Sequence, residues 1–280
     1  MSKSRRIMKK MTALILICCI FFGLSPTQET QAKDVTGTTT LRILSTTDLH
    51  GQSVNINYDS ATSHKKGSLA QAATLINDAK KSLKYGNTLL VDIGDTIYGF
   101  GSDSIYNGAV TGVEYMYAEM ASMGYDAMTV GNHDFDYGYS YLKEALEDAG
   151  LNKKVIVSNV YDAKSKKNIW AENKVITKKL KTTKGKTISV KIGLIGVTTP
   201  ALTTHYDHSL LLTTKDMVES VNEQVEKLKK KKTDLIIVLG HTGIGSQEYV
   251  QMEDNAAYEI SKIDGVDAIV GGHAHVNFPS

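Results

Sequence analysis

Seven residues able to ligate a metal follow five short β-forming runs in this 280-residue chain. Leu41–Thr47 runs into Asp48-Leu49-His50-Gly51, Leu89–Ile93 into Gly94-Asp95, and Ala127–Val130 into Gly131-Asn132-His133-Asp134. Leu235–Leu239 runs into Gly240-His241, and Ala268–Val270 into Gly271-Gly272-His273-Ala274-His275. In α/β sheets, ligands gather outside the carboxyl ends of the strands. Glycine at those ends lets the backbone turn tightly and approach a bound group. Five distant segments can therefore converge on one site.

The residue types suit two divalent cations. Asp48, His50 and His275 can hold one; Asn132, His241 and His273 can hold the other, with Asp95 as a bridge. A shell of imidazole and oxygen without sulfur suits Mn, Zn, Fe or Co better than Ca or Mg. Two such ions about 3.5–4 Å apart activate a water and neutralise phosphoryl oxygens. Phosphoryl transfer needs little more than that positioning and charge stabilisation. A lone histidine at a strand end is more often a hydrogen-bonded structural residue. Five of the eight histidines stand at such ends, beside Asp48, Asp95 and Asn132, and the coincidence argues for ligation.

His133 directly follows Asn132 and faces the same site. An imidazole there can protonate a leaving oxygen or stabilise its developing charge. Asp136 is placed to orient that ring; its other reading is a helix N-terminal residue ahead of Tyr139. His64, His205 and His208 lie in loops and read as surface residues, and Asp92, inside a strand, reads as orienting another group. Tyr98, Phe100 and the glycine-rich stretch to Gly112 line a substrate mouth or form a plain surface connection.

The elements that must position these residues alternate. Strands are predicted over 41–46, 89–93, 127–130, 155–157, 235–239 and 266–270, and helices over 68–83, 113–123, 139–149, 217–232 and 255–262. Residues 174–197 read as an antiparallel pair turning at Thr183-Lys184-Gly185-Lys186. Without an internal repeat or linker, this is one α/β domain. The lysine tract from Lys164 to Lys186 reads as a solvated hairpin. Lys227 to Lys232 reads as a helix C-terminus, where cations meet the negative end of the dipole. Gly185-Lys186-Thr187 lacks the earlier glycine and the following helix of a phosphate loop.

Residues 1–32 read as a secretory signal peptide. A basic start at Lys3, Arg5, Arg6, Lys9 and Lys10 precedes an apolar run from Ala13 to Leu24 and small residues at Thr30 and Ala32. That run is too short to span a bilayer, which takes about 20 residues. The segment carries +4 against a whole-chain charge of +2, so the mature part, 33–280, is near −2. This removes the global electrostatic case for a nucleic-acid polymer as partner. Both cysteines leave with the segment, and with them disulfide and thiolate chemistry. The expectation is a secreted bacterial protein of the cell envelope or exterior, without a membrane span.

The blocks Asp48-Leu49-His50, Gly94-Asp95, Gly131-Asn132-His133-Asp134, Gly240-His241 and Gly272-His273-Ala274-His275 resemble those of the calcineurin-like metallophosphoesterases, in particular the secreted 5′-nucleotidase branch. Thr46-Thr47-Asp48-Leu49-His50-Gly51, Asn255-Ala256-Ala257-Tyr258 and the ending through Val276-Asn277-Phe278-Pro279 are most similar to bacterial 2′,3′-cyclic-nucleotide 2′-phosphodiesterase/3′-nucleotidases. The resemblance implies a four-layer α/β fold, two packed sheets flanked by helices. It also implies the metal assignments above, His133 as the catalytic histidine, and a small-molecule nucleotide substrate scavenged outside the cell. It further implies more strands and a base-binding domain beyond Ser280, so the chain reads as truncated. Asp134 stands where many relatives carry Glu, a change expected to matter little. Rival readings are a 5′-nucleotidase or UDP-sugar hydrolase, a secreted binding protein without catalysis, and an inactive fragment.

Overall fold

The computed structural model describes residues 37–56, 67–98, 115–204 and 211–277. The expectations for residues 1–32, His64, Phe100, Gly112, His205 and His208 lie outside the described residues. So do the start of the predicted helix over 113–123, residues 113–114, and the last three residues of the sequence.

β1 (Leu41–Thr46) and β2 (Asn87–Asp92) pair in parallel from Leu41 opposite Asn87 to Thr46 opposite Asp92, and β3 (Ala127–Met128) joins the other side of β2. Between them lie α1 (Leu69–Ser82) and α2 (Tyr115–Ala121). Ser68 caps α1 by accepting from the Gln71 N–H at 3.4 Å, and Lys80 and Lys81 face the negative dipole end in its last turn. A 3₁₀ turn at His133–Phe135 leads to α3 (Tyr139–Asp148).

β4 (Val160–Asp162) pairs with β7 (Leu212–Thr214) in a small antiparallel ribbon. The second large sheet has the order β5-β6-β8-β9. β5 (Asn173–Lys181) and β6 (Thr187–Thr198) form an antiparallel hairpin; β8 (Leu235–His241) runs parallel to β6, and β9 (Ala268–Gly271) parallel to β8. α4 (Ala201–Thr204) follows β6. α5 (Met217–Lys230), capped by Asp216, and α6 (Ala257–Ser261) cross over between the parallel strands. All of these elements belong to one compact unit, Thr39–Ser280.

Alternation along the strands builds three apolar cores. Leu89, Val91 and Ile93 of the β2 segment meet Ile192 and Leu194 of β6 and Ile237 and Leu239 of β8 between the sheets. Leu90 points the other way, into a core with Met116 and Met120 of α2 and Leu142 and Leu146 of α3. Ile195, Val197, Ile236 and Val238 pack against Val221, Val225 and Leu228 of α5 and Ile260 of α6. Helices, sheet, sheet, helices: this is the four-layer α/β architecture expected. A parallel sheet covered on both faces calls for near-continuous apolar strands, which is how β2 and β8 read.

Two local expectations change, and one ribbon was not foreseen. Val155–Val157 forms no ladder; it makes isolated bridges, Val155 to Met128 and Ile156 to Ala171. The ribbon of β4 and β7 carries three residues per strand, too few to show a period. The lysine hairpin is not wholly solvated, because half-buried Lys178 reaches Asp126 Oδ1 at 2.6 Å and Lys174 reaches the Asp126 carbonyl at 3.3 Å. Lys179 and Lys181 are exposed on β5, an outer strand of its sheet, where they discourage pairing with another chain.

Gly196 of β6 lies against the connecting segment 155–158. A Cβ there would stand 1.9 Å from the Ile156 carbonyl oxygen, and the Gly196 carbonyl accepts from Ser158 N–H at 2.7 Å. Gly196→Ala is expected to destabilise the fold by about 3 kcal/mol through backbone displacement, read as a lowered midpoint in urea denaturation. An unchanged midpoint would show that the contact has slack.

Candidate metal centre

β1, β2, β3, β8 and β9 deliver their carboxyl ends to one rim. Asp48 and His50 follow β1, Asp95 follows β2, Asn132 and His133 follow β3, His241 ends β8, and His273 and His275 follow β9. Asp48, His50, Asp95, His273 and His275 all take left-handed backbone, with φ between 47 and 75°. They are five of the nine described non-glycine residues with positive φ, so strain concentrates here. Each such residue costs about 1–3 kcal/mol and persists only where its surroundings over-determine it. Gly131 is demanded by closeness: a Cβ there would sit 2.1 Å from Asp95 Oδ1.

The side chains fall into two groups. Asp48, His50 and His275 form one; Asp95, His241 and His273 form the other; in each, the ligand atoms lie within 4.8 Å of one another. His50 Nε2 is 3.1 Å from His275 Nε2, which is 3.3 Å from Asp48 Oδ1. His241 Nε2 is 3.1 Å from Asp95 Oδ2, and the same oxygen lies 3.9 Å from His50 Nε2. One carboxylate oxygen thus faces both groups. Asn132 is buried beside them, at the start of the 3₁₀ turn.

Backbone carbonyls fix two of the tautomers. His241 Nδ1 lies 2.9 Å from the Ile93 carbonyl oxygen, and His50 Nδ1 lies 2.9 Å from that of Tyr98. A carbonyl only accepts, so each Nδ1 carries the hydrogen and each neutral ring turns an Nε2 lone pair inward. At His241, fully buried, that lone pair faces the Asp95 carboxylate and Nε2 has no hydrogen-bond partner. The arrangement requires a positive centre, either a proton or a cation. Burial pushes His241 down, but the Asp95 carboxylate 3.1 Å away outweighs it and raises it to about 9. Burial pushes Asp95 up, and the neighbouring His241, His50 and His133 overcome this to hold it well below the usual carboxylate range. Burial lowers His50 and His273, which favours the neutral form a metal needs. The donor set fits a pair of divalent cations of the transition-metal or zinc type.

His133 stands beside both groups. Its backbone N–H donates to Asp95 Oδ1 at 2.9 Å, and its ring lies 5.4 Å from that of His50. Asp136 Oδ2 is 2.7 Å from His133 Nδ1, a contact that raises the imidazole above its ordinary value. Gly138, not Asp136, occupies the cap position of α3, so the helix-start reading of Asp136 falls away.

Residues 41–277 match the calcineurin-like phosphoesterase family. The chain belongs to that family. It is 34% identical, over 86% of its length, to the 2′,3′-cyclic-nucleotide 2′-phosphodiesterase/3′-nucleotidase of Salmonella typhimurium, and spans 38% of that protein. It is 28% identical over 84% of its length to the 5′-nucleotidase of Bos taurus, spanning 38% of that protein. Among solved structures, the calcineurin-like phosphoesterase YfkN from Bacillus subtilis superposes with a TM-score of 0.76 at 32% identity, covering 86% of this chain and 74% of that one.

Two features of this family member escape a sequence reading. Asn255, noted only for its resemblance, accepts from Gly243 N–H at 3.0 Å, while Thr242 Oγ1 donates to the Asp254 carbonyl and accepts from Ala256 N–H. Together they pin the loop that follows His241. Asp134 is fully buried and accepts five hydrogen bonds: from the N–H groups of Gly131, Asp95, Thr96 and Ile97 and from the Tyr117 hydroxyl, at 2.8 to 3.2 Å. Burial and the Asp95 charge push its carboxyl up to about 6, and the donors keep it ionised at neutral pH. It ties the Asp95 loop to the Asn132 loop. The available signal was its place directly after a glycine turn, where a short acid bonds local backbone.

Asp134→Ala leaves four backbone donors unsatisfied in a dry site. We expect it to lower unfolding free energy by at least about 3 kcal/mol, measured by urea denaturation of the metal-free protein. A loss below about 1 kcal/mol would mean that the two loops hold their shape without it.

Proposed function

We propose that this chain carries the catalytic centre of a two-metal phosphoesterase acting on nucleotides. The observation that carries this reading is the one Asp95 oxygen facing both ligand groups, with the His133–Asp136 pair alongside. Asp48, His50 and His275 are assigned to one cation and Asn132, His241 and His273 to the other, with Asp95 shared; Mn, Zn, Fe or Co suits the donors. Bound there, a pair of divalent cations supplies Lewis acidity and a more acidic attacking water.

The chain's own groups do the rest. The Ile93 and Tyr98 carbonyls hold the His241 and His50 rings with Nε2 turned inward. Asp136 holds His133 by Nδ1, and the ring donates a proton to the departing oxygen. For a 2′,3′-cyclic nucleotide, water attacks phosphorus in line with the 2′ oxygen, which leaves and takes up that proton. The resulting 3′-nucleotide is hydrolysed in turn to a nucleoside and phosphate. This substrate choice is supported by the identity to the Salmonella typhimurium protein. The second reading is a 5′-nucleotidase, favoured by the likeness to the bovine protein. An extracellular scavenging role rests on the signal-like pattern of the first 32 residues. No helix among the described residues is long and apolar enough to cross a membrane.

The test is turnover of bis(p-nitrophenyl) phosphate with added Mn²⁺, with and without EDTA, in the wild type and in His133→Ala. We expect EDTA to abolish turnover, and the variant to lose about 10²–10⁴-fold on 2′,3′-cyclic AMP, whose alkoxide leaving group needs the proton, and far less on the nitrophenyl ester, with two metal ions per chain by elemental analysis. Comparing 2′,3′-cyclic AMP, 3′-AMP and 5′-AMP then separates the two substrate readings. A soluble, cooperatively melting chain that binds no metal would overturn the proposal.

A further inference from the structure

We propose that Tyr98 is the positioning residue of the centre: its ring holds the His133 imidazole by stacking, and its backbone carbonyl holds the His50 imidazole. The functional consequence rests on the reading of His133 as proton donor.

Tyr98 has φ +66°, a left-handed backbone that a bulky aromatic residue rarely adopts. In that conformation its two ends reach two different histidines. The carbonyl accepts from His50 Nδ1 at 2.9 Å, and the phenol ring lies 8° from parallel with the His133 ring at 5.8 Å between centroids. The spacing is that of an offset aromatic stack. Two of the contacts on the His133 ring do different work. Asp136 fixes one ring nitrogen at 2.7 Å, and that hydrogen bond by itself does not set the tilt of the imidazole. A flat ring against its face sets that tilt. Tyr98 is itself braced, edge to face, by Tyr137 at 5.3 Å, and Tyr137 by Tyr141 of α3 at 5.4 Å. The imidazole is thereby referenced to a helix as well as to a loop.

Tyr98→Gly tests this, because glycine accepts the left-handed backbone, retains the carbonyl and removes only the ring. Tyr98→Phe restores the ring without the hydroxyl. Two readouts are needed. Relaxation of the ¹³C-labelled His133 ring, recorded on metal-free and zinc-loaded full chain, should show greater mobility in Tyr98→Gly and wild-type order in Tyr98→Phe. Hydrolysis of esters with an alkoxide leaving group, which needs the proton, should fall about tenfold in Tyr98→Gly. With a nitrophenolate leaving group it should fall less than about threefold, and Tyr98→Phe should recover both. Unchanged His133 mobility in Tyr98→Gly overturns the proposal, as does an equal loss with both leaving groups. If the wild type shows no turnover, or His133→Ala leaves the leaving-group dependence intact, the functional reading fails instead, and ring mobility alone decides the role of Tyr98.

Discussion

A carboxylate buried to 1% exposure must be met by positive charge or hydrogen-bond donors, and Asp95 sets that requirement for the whole rim. Its Oδ1 takes the His133 N–H, and its Oδ2 is approached by His241 and His50. The groups that surround it come from both sheets. The two sheets must therefore be packed face to face before its charge is matched, and the apolar layer between β2, β6 and β8 does that packing. Electrostatics at the rim and hydrophobic burial beneath it are thus linked through one side chain.

The cost of bringing these groups together appears in the backbone. Left-handed turns at Asp48, His50, Asp95, His273 and His275 put strain where short loops must aim side chains inward. What offsets it is a set of buried hydrogen bonds rather than more apolar packing. Asp134 gathers the Asp95 and Gly131 loops, and Thr242 with Asn255 pins the turn after His241. Asp92, fully buried, accepts from Thr46, Thr96 and Gly94, and burial pushes its carboxyl up to about 7. The sequence reading gave Asp92 a supporting role, and its partners are the segments that precede and follow the site.

Much of this was legible beforehand because metal-ligand types stood at the ends of apolar runs, a pattern that needs no tertiary information. The long helices 69–82 and 217–230 were legible for the same reason: fourteen residues show their period clearly. The paired triplets of β4 and β7 show none, and residues 155–157 are apolar because their side chains fill two cores, although their backbone makes only single bridges. Asp134 looked interchangeable beside the candidate ligand Asn132, whereas its meaning lies in five donors, four of them from residues 95–97 and 117. The link between Lys178 and Asp126 was hidden in a tract whose composition says only that it is basic.

The pairing of His50 with His275 and of Asp48 with the His273 N–H spans 225 residues in each case. Closing so long a loop has an entropic cost that local contacts cannot meet alone, and such non-local contacts form late in folding. Until β9 docks, the candidate ligands that follow β1 and those that follow β9 are therefore held apart. Neither ligand group is whole without a residue that follows β9, His275 in one and His273 in the other, so the assembly of the rim reports that the two sheets have packed.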